Sequence, residues 1–155
     1  MINVLPIPHF QQSSDGYCLS ACARMVLAYQ GLEYSEVEIS HALGAQDFGT
    51  PHFAIQRLTQ LELYVIYRDW SVPALMSALG TGQPVIAFVR TGFLDYCYED
   101  FAHAVVIVGI SPEQQFWIHD PTQPMGPQSV SWNGFLAAWA EFGYRGAALK
   151  QQQNR

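Results

Sequence analysis

The sequence predicts an α+β fold in which helices dominate the first half of the chain and antiparallel strands the second. Over the first 80 residues, apolar side chains recur mainly at three- and four-residue spacing, which is typical of helices packed on one side. After residue 84 the pattern changes to short, apolar, β-branched runs of strand length. Half of the 155 residues are hydrophobic and 13% are charged, which is sufficient for one compact domain. We expect this domain to span residues 1–150 and a polar tail to span 151–155.

The helix at the centre of the prediction begins at Cys18 and ends before Gly31, in the stretch QSSDGYCLSACARMVLAYQ. Its apolar side chains lie on nearly all sides, so we expect it to be buried against the sheet. A thiol on its first turn lies at the positive end of the helix dipole, near unpaired backbone N–H groups, and both effects favour the thiolate. Cys18 is therefore a candidate nucleophile, with Gln12 as a candidate oxyanion donor, although free cysteines are most often small buried hydrophobes.

The remaining elements follow from caps, turns and periodicity. Three further helices are expected before the sheet or between its strands: Ser35–Leu43 behind a capping box, Thr50 onward with Phe53 or Ala54, Leu58 and Leu61 inward, and Ser71–Leu79. The extended segments are a lead-in over Met1–Phe10 and strands at 63–67, 84–90, 103–110, 116–119 and 144–149, with a turn at 111–114. Ser131 is expected to cap a last helix through Phe142, so that the whole forms an antiparallel sheet with one helix packed on it.

The second half of the chain contains a candidate base and its partner. His103 begins the very apolar strand HAVVIVGI, where a histidine is costly unless it is used or well paired. Asp120 follows the next strand, and in an antiparallel hairpin the start of one strand lies beside the end of the other. His103 and Asp120 are then neighbours at one edge, as a thiol nucleophile requires of its base and orienting group. Each also has an ordinary interpretation, as a paired core histidine and as a turn residue before Pro121.

The chain resembles the papain-like cysteine peptidases in the order of four features. These are Gln12, a cysteine at the head of a buried helix, a histidine before an apolar strand, and Asp-Pro after the next strand. The pattern is most similar to the bacteriocin-processing family, the double-glycine leader peptidases fused to ABC exporters, and to their stand-alone relatives. The resemblance is carried by QSSDGYCLSACARMVLAYQG, HAVVIVGI and HDP and covers nearly the whole chain. It implies a papain-like fold, with Gln12, Cys18, His103 and Asp120 as oxyanion donor, nucleophile, base and orienting group, and it implies no cofactor or metal.

Two positions beside the cysteine depart from the family pattern, which usually has Asp or Glu directly before it and Gly directly after it. This chain has Tyr17 and Leu19 there, and the nearest upstream acid is Asp15. Because these positions border the substrate cleft, the resemblance does not imply double-glycine specificity. The sequence contains no transporter domain, so leader cleavage coupled to export is not implied either.

The loop before His103, residues 91–102, is acidic and aromatic and is expected to form a wall of the substrate cleft. An extended peptide or a basic segment would suit such a wall. The predicted substrate-binding residues are Asp15, Tyr17, Phe93, Tyr96, Tyr98 and Phe101. In the alternative interpretation, Asp15 is only a turn or cap residue and the aromatic rings pack within the loop.

The leading hypothesis is a cysteine peptidase acting on a peptide or protein. A papain-like acyl-transfer enzyme, such as a glutamine deamidase or a transamidating toxin, would share its thioester intermediate, and a non-catalytic peptide-binding module of the same fold is a third alternative. A zinc site formed by Cys18, Cys22, His103 and His119 would lack the usual ligand spacing.

Composition excludes several other classes. A formal charge of −6 and a pI near 5.1 argue against nucleic acid as a partner. No apolar run approaches the roughly 18 residues of a membrane span, and the first ten residues do not resemble a signal peptide. An odd count of three cysteines does not suggest a disulfide framework, so we expect a soluble, cytoplasmic protein. The sequence does not indicate the oligomeric state or the identity of the substrate.

Overall fold

The computed structural model describes residues 3–111 and 113–152 of the chain. Its fold is built on one antiparallel sheet. Six strands lie in the order β2-β7-β3-β4-β5-β6, and the short strand β1 pairs with the end of β4. The strands are β1 (Asn3–Val4), β2 (Leu63–Asp69), β3 (Val85–Arg90), β4 (Ala102–Ile110), β5 (Gln115–His119), β6 (Gln128–Ser131) and β7 (Arg145–Gln151). Parts of three predicted segments lie outside the described residues: Met1 and Ile2, Pro112, and residues 153–155.

Helices cover both faces of this sheet. They are α1 (Cys18–Tyr29), α2 (Glu36–Leu43), α3 (Val72–Gly80) and α4 (Trp132–Ala140), with 3₁₀ helices at His52–Leu61 and Thr91–Phe93. Helices α1 and α2 pack on the face that carries Phe88 and Val106. Helices α3 and α4 pack on the opposite face, which carries Val105 and Phe116. The α+β class and the buried Cys18 helix are confirmed, but the sheet has a second helical layer where one packed helix was expected.

The predicted caps are present in the structure. The Ser35 hydroxyl accepts a hydrogen bond from the backbone N–H of Glu38 at 3.1 Å, and the Ser131 hydroxyl accepts one from Gly134 at 3.2 Å. Each bond satisfies one of the N–H groups that a helix leaves unpaired at its start. Helix α4 ends at Ala140, two residues earlier than expected, and β6 spans Gln128–Ser131, where no strand was expected.

The third predicted helix is a 3₁₀ helix with a different inward face. Ile55, Leu58 and Leu61 recur at three-residue spacing, which aligns side chains in a helix of three residues per turn. Ile55 and Leu58 are fully buried and Leu61 packs against the same core. Of the expected pair Phe53 or Ala54, Ala54 is buried and Phe53 is 58% exposed.

Candidate active site

Cys18 is the first residue of α1, at the point where a tight loop turns into the helix. Gly16, two residues earlier, has a φ of +92°, and a Cβ there would lie 2.5 Å from the carbonyl oxygens of Gln46 and Asp47. The loop therefore needs glycine at this position both for its backbone conformation and for its space. Helix α1 has no side-chain cap, so its first N–H groups are available beside the half-buried thiol.

His103 and Asp120 are brought together by the hairpin of β4 and β5, as the sequence predicted. The imidazole Nε2 lies 2.7 Å from Oδ1 of Asp120, and the two residues are only 2% and 1% exposed. Because Nε2 faces the carboxylate, Nδ1 is the ring nitrogen that remains for a proton exchange with sulfur. The two side chains are 17 positions apart in the sequence, and the antiparallel pairing of β4 with β5 places them at one edge of the sheet.

The carboxylate of Asp120 accepts three hydrogen bonds besides that of His103. The Tyr96 hydroxyl donates to Oδ2 at 2.5 Å, while the backbone N–H and the hydroxyl of Thr122 donate to Oδ1 at 2.9 and 2.7 Å. The sequence predicts Tyr96 only as part of the wall of the cleft and carries no signal for Thr122. A carboxylate with this many donors is held in one orientation and stays ionised.

The pKa values of the three groups favour a charged pair. Burial by itself disfavours the imidazolium, but the hydrogen bonds with Asp120 and Cys18 raise the pKa of His103 to about 9. Burial would raise the pKa of Asp120, but the bond from His103 lowers it to about 2. Burial also opposes the thiolate of Cys18, but the hydrogen bond and charge of His103, with backbone bonds at Ala104 and Leu19, lower its pKa on balance. The arrangement can therefore hold a thiolate beside an imidazolium near neutral pH.

Gln12 lies on the lining of the cleft that contains Cys18 and His103. Its side-chain Nε2 donates to the carbonyl of Ser14 at 2.9 Å, which orients the amide and leaves its second N–H free. Its backbone N–H donates to the carbonyl of Pro121 at 2.8 Å, next to Asp120. The position of Gln12 is thus set by the segment that carries Asp120.

The cleft has a volume of about 900 Å³. Four of the six predicted substrate-binding residues line it: Asp15, Tyr96, Tyr98 and Phe101. Tyr17 does not, because its hydroxyl donates to Asp47 at 2.6 Å, and Phe93 lies outside the lining on the short 3₁₀ helix. The lining also includes Phe48, which is 90% exposed, and no lysine or arginine among the described residues.

His52 also lines the cleft and was not identified from the sequence. Its ring stacks on that of Phe88 with the ring centroids 4.1 Å apart, and it packs edge to face with Phe142 at a centroid distance of 4.7 Å. Burial lowers the pKa of His52 to about 4, so this wall of the cleft is neutral above that pH. The only sequence signal was a histidine on the inward side of an amphipathic segment, which is common in ordinary cores.

The four residues of the zinc alternative have other partners. The Cys22 thiol donates to the carbonyl of Ala104 at 3.3 Å, and Nε2 of His119 donates to the carbonyl of Ile7 at 2.7 Å. Across residues 3–111 and 113–152, no three His, Cys, Asp or Glu side chains form a group that could hold a metal ion.

Within the same residues, no helix is both long enough and apolar enough to cross a bilayer.

Comparison with known proteins places this geometry in a family. The model of the Peptidase_C39 like family matches residues 4–147. No curated protein sequence is similar enough to the chain to count as a match.

Three solved structures share the fold. The first is a candidate C39-like peptidase from Bacillus anthracis, with a TM-score of 0.80, 17% identity, and 99% of this chain and 100% of that chain covered. The second is the peptidase domain of Streptococcus ComA, a bifunctional ABC transporter involved in quorum sensing (TM-score 0.75, 18% identity, 93% and 98% covered). The third is a double-glycine-motif protease from an AMS/PCAT transporter in complex with the leader peptide, with a TM-score of 0.72, 16% identity, and 96% of this chain and 94% of that chain covered. The chain belongs to the Peptidase_C39 like family.

Proposed function

We propose that the protein is a cysteine peptidase that hydrolyses peptide bonds with Cys18, His103, Asp120 and Gln12. The observation that carries the proposal is the buried His103–Asp120 pair at 2.7 Å, whose imidazole lines the same cleft as a thiol at the head of a helix. A stability role alone would not require the imidazole of this pair to line a cleft beside a thiol whose pKa is lowered.

In the proposed mechanism, His103 holds the proton of Cys18 at Nδ1 and the thiolate attacks the carbonyl carbon of the scissile amide. The backbone N–H of Cys18 and the side chain of Gln12 donate to the oxyanion, a contribution of about 3 kcal/mol per donor in comparable sites. His103 then protonates the leaving amine as the C–N bond breaks, which leaves a thioester on Cys18. A water molecule, deprotonated by His103, attacks the thioester and releases the acid, and the thiol is restored.

The proposed substrate is a peptide or a segment of a protein. An open cleft of about 900 Å³ with Phe48 and Tyr98 exposed on its rim suits an extended chain. A structural neighbour is a protease in complex with a leader peptide, which supports peptide binding in this fold. Asp15 and Glu99 lie on the lining, so a substrate with a positive charge near the scissile bond is favoured. We place the protein in a reducing compartment, because all three cysteines are free and the thiolate must stay reduced.

Alkylation with iodoacetamide tests the nucleophile. Cys18 is expected to react at least about tenfold faster than Cys97 at pH 6, because only Cys18 has a thiolate stabilised by an imidazolium. Cys97 is a matched control, since it lines the same cleft and is also half-buried. Equal rates for the two thiols would favour a non-catalytic binding module.

A peptide library read by mass spectrometry tests the reaction. New termini that appear with the wild-type protein and not with Cys18→Ala support a peptidase. A mass increase of about one dalton on glutamine, without new termini, would identify a deamidase and overturn the peptidase assignment.

A further inference from the structure

Two histidines outside the proposed triad join the segment of Gln12 to the segment of Asp120. Nε2 of His9 donates to the carbonyl of Gln123 at 2.7 Å, and Nε2 of His119 donates in the reverse direction to the carbonyl of Ile7, also at 2.7 Å. The rings meet edge to face with their centroids 4.9 Å apart. Each segment therefore contributes one imidazole and one carbonyl to the same junction.

The junction extends toward the site. The Gln11 side chain donates to the carbonyl of Thr122 at 3.3 Å, and the backbone N–H of Gln12 donates to Pro121 at 2.8 Å. These four bonds link residues 7–12 with residues 119–123. One linked segment ends at the candidate oxyanion donor, and the other begins beside the orienting carboxylate Asp120.

The two rings are held in a single tautomer with little room around them. Because both Nε2 atoms face carbonyl oxygens, both are protonated, and each Nδ1 is buried without a hydrogen-bond partner. Gly126 packs directly between them: a Cβ there would lie 2.9 Å from Nδ1 of His9 and closer still to Nδ1 of His119. Only a residue without a side chain fits at this position, so the rings, the glycine and the two segments form one packed unit.

We propose that His9 and His119 are positioning residues that hold the oxyanion donor Gln12 in register with the His103–Asp120 pair. This inference rests on the proposed function. Neither imidazole is itself part of the cleft lining, so they act through the backbone of residues 7–12 and 119–123, which includes the lining residues Gln12, Thr122 and Gln123. An oxyanion donor contributes fully only when its N–H is aimed at the place where charge develops, and small displacements lower the rate steeply. Loss of the junction should therefore affect acyl transfer and spare the thiolate itself.

The test compares two reactions of Cys18 in the full chain. Hydrolysis of p-nitrophenyl acetate passes through an oxyanion, whereas alkylation by iodoacetamide attacks a saturated carbon and does not. In His119→Leu we expect kcat for the ester to fall about 10- to 100-fold, while the alkylation rate at pH 6 stays within about twofold of wild type. In His119→Gln, whose Nε2 can still donate to Ile7, we expect most of the ester activity to return.

A second perturbation leaves both histidines in place. Gly126→Ala introduces a methyl group against the two rings and should reproduce the selective loss of ester hydrolysis. Gly80→Ala is the matched control, because a Cβ there meets nothing within 4 Å. Hydrogen exchange at the backbone amide of Gln12 should accelerate in Gly126→Ala and not in Gly80→Ala, since this amide is bonded to Pro121 across the junction.

The inference is overturned if ester hydrolysis and alkylation fall in parallel in the folded variants, or if neither falls. It is also overturned if His119→Gln is as slow as His119→Leu. A wild-type Cys18 that is no more reactive than Cys97 would instead be a failure of the proposed function. The two failures are distinguished because one appears in the wild-type protein and the other only in the variants.

Discussion

Replacing Asp120 with asparagine should shift the alkylation of Cys18 toward alkaline pH. The substitution keeps the size of the side chain and an acceptor for Nε2 of His103, but it removes the negative charge that lies 2.7 Å from the ring. It also replaces the oxygen that accepts from Tyr96 at 2.5 Å. The imidazolium of His103 loses its strongest favourable partner, so the proton of Cys18 is held less well on the ring.

The size of the effect follows from the pKa of His103. Its rise from the ordinary 6.5 to about 9 corresponds to about 3 kcal/mol in favour of the imidazolium. Cys18 and Asp120 share this contribution, and the hydrogen bond with Asp120 is the largest single interaction that raises the pKa of His103. We expect the substitution to remove at least about 1.4 kcal/mol, a tenfold change in the thiolate population, so the alkylation profile should move by about one pH unit.

The assay is the rate of iodoacetamide modification of the Cys18 peptide between pH 4 and pH 10. Asp69→Asn is the control, because it removes an exposed carboxylate that pairs with Arg145 at 3.0 Å and lies outside the cleft lining. A folded Asp120→Asn variant with an unchanged profile would refute the reasoning that this carboxylate stabilises the thiolate–imidazolium pair.

Three further outcomes are expected. Tyr96→Phe should lower kcat for ester hydrolysis several-fold with little change in KM, since Asp120 loses one of its donors, while Tyr64→Phe, at an exposed position on β2 outside the cleft lining, should match wild type. The difference in free energy of unfolding between wild type and Asp120→Asn should narrow by about 2 kcal/mol as the pH falls from 5 to 2. The reason is that the pKa of Asp120 is lowered to about 2 in the folded protein, so the carboxylate loses its stabilising contribution as it is protonated over this pH range. A difference that stays constant in urea melts over this range would contradict the prediction. Gly16→Ala should destabilise the fold by about 2 kcal/mol more than Gly31→Ala in the same melts, because both have positive φ but only Gly16 would clash with backbone.

The parts of the fold that the sequence predicted are those determined by burial pattern and local chemistry. Helix α1 is apolar on nearly all sides, β4 is apolar on both, and Ser35 and Ser131 are strong caps, so each element is specified within its own residues. The meeting of His103 and Asp120 was also predictable, because a hairpin leaves few alternatives for its two open ends.

The parts that were not predicted depend on contacts between distant segments. The 3₁₀ helix was expected to be an ordinary helix, since Leu58 and Leu61 fit both periods over so short a length. The bond from Tyr96 to Asp120 depends on the path of the 91–102 loop. That path is set by Thr91, whose hydroxyl bonds to Glu99, and by Asp95, which bonds to Ser131. None of these pairings has a local signal.

The two departures beside the cysteine differ in their consequence for the cleft. Tyr17 is bonded to Asp47 and lies off the lining, so the residue before the nucleophile does not narrow the substrate path. Leu19 lies on the lining and is 1% exposed, so its side chain occupies volume that a glycine would leave open next to Cys18. Of the two positions, only Leu19 lies on the cleft lining. Under the proposed function, any difference from double-glycine cleavage is therefore expected to come from the residue after the nucleophile, not from the one before it.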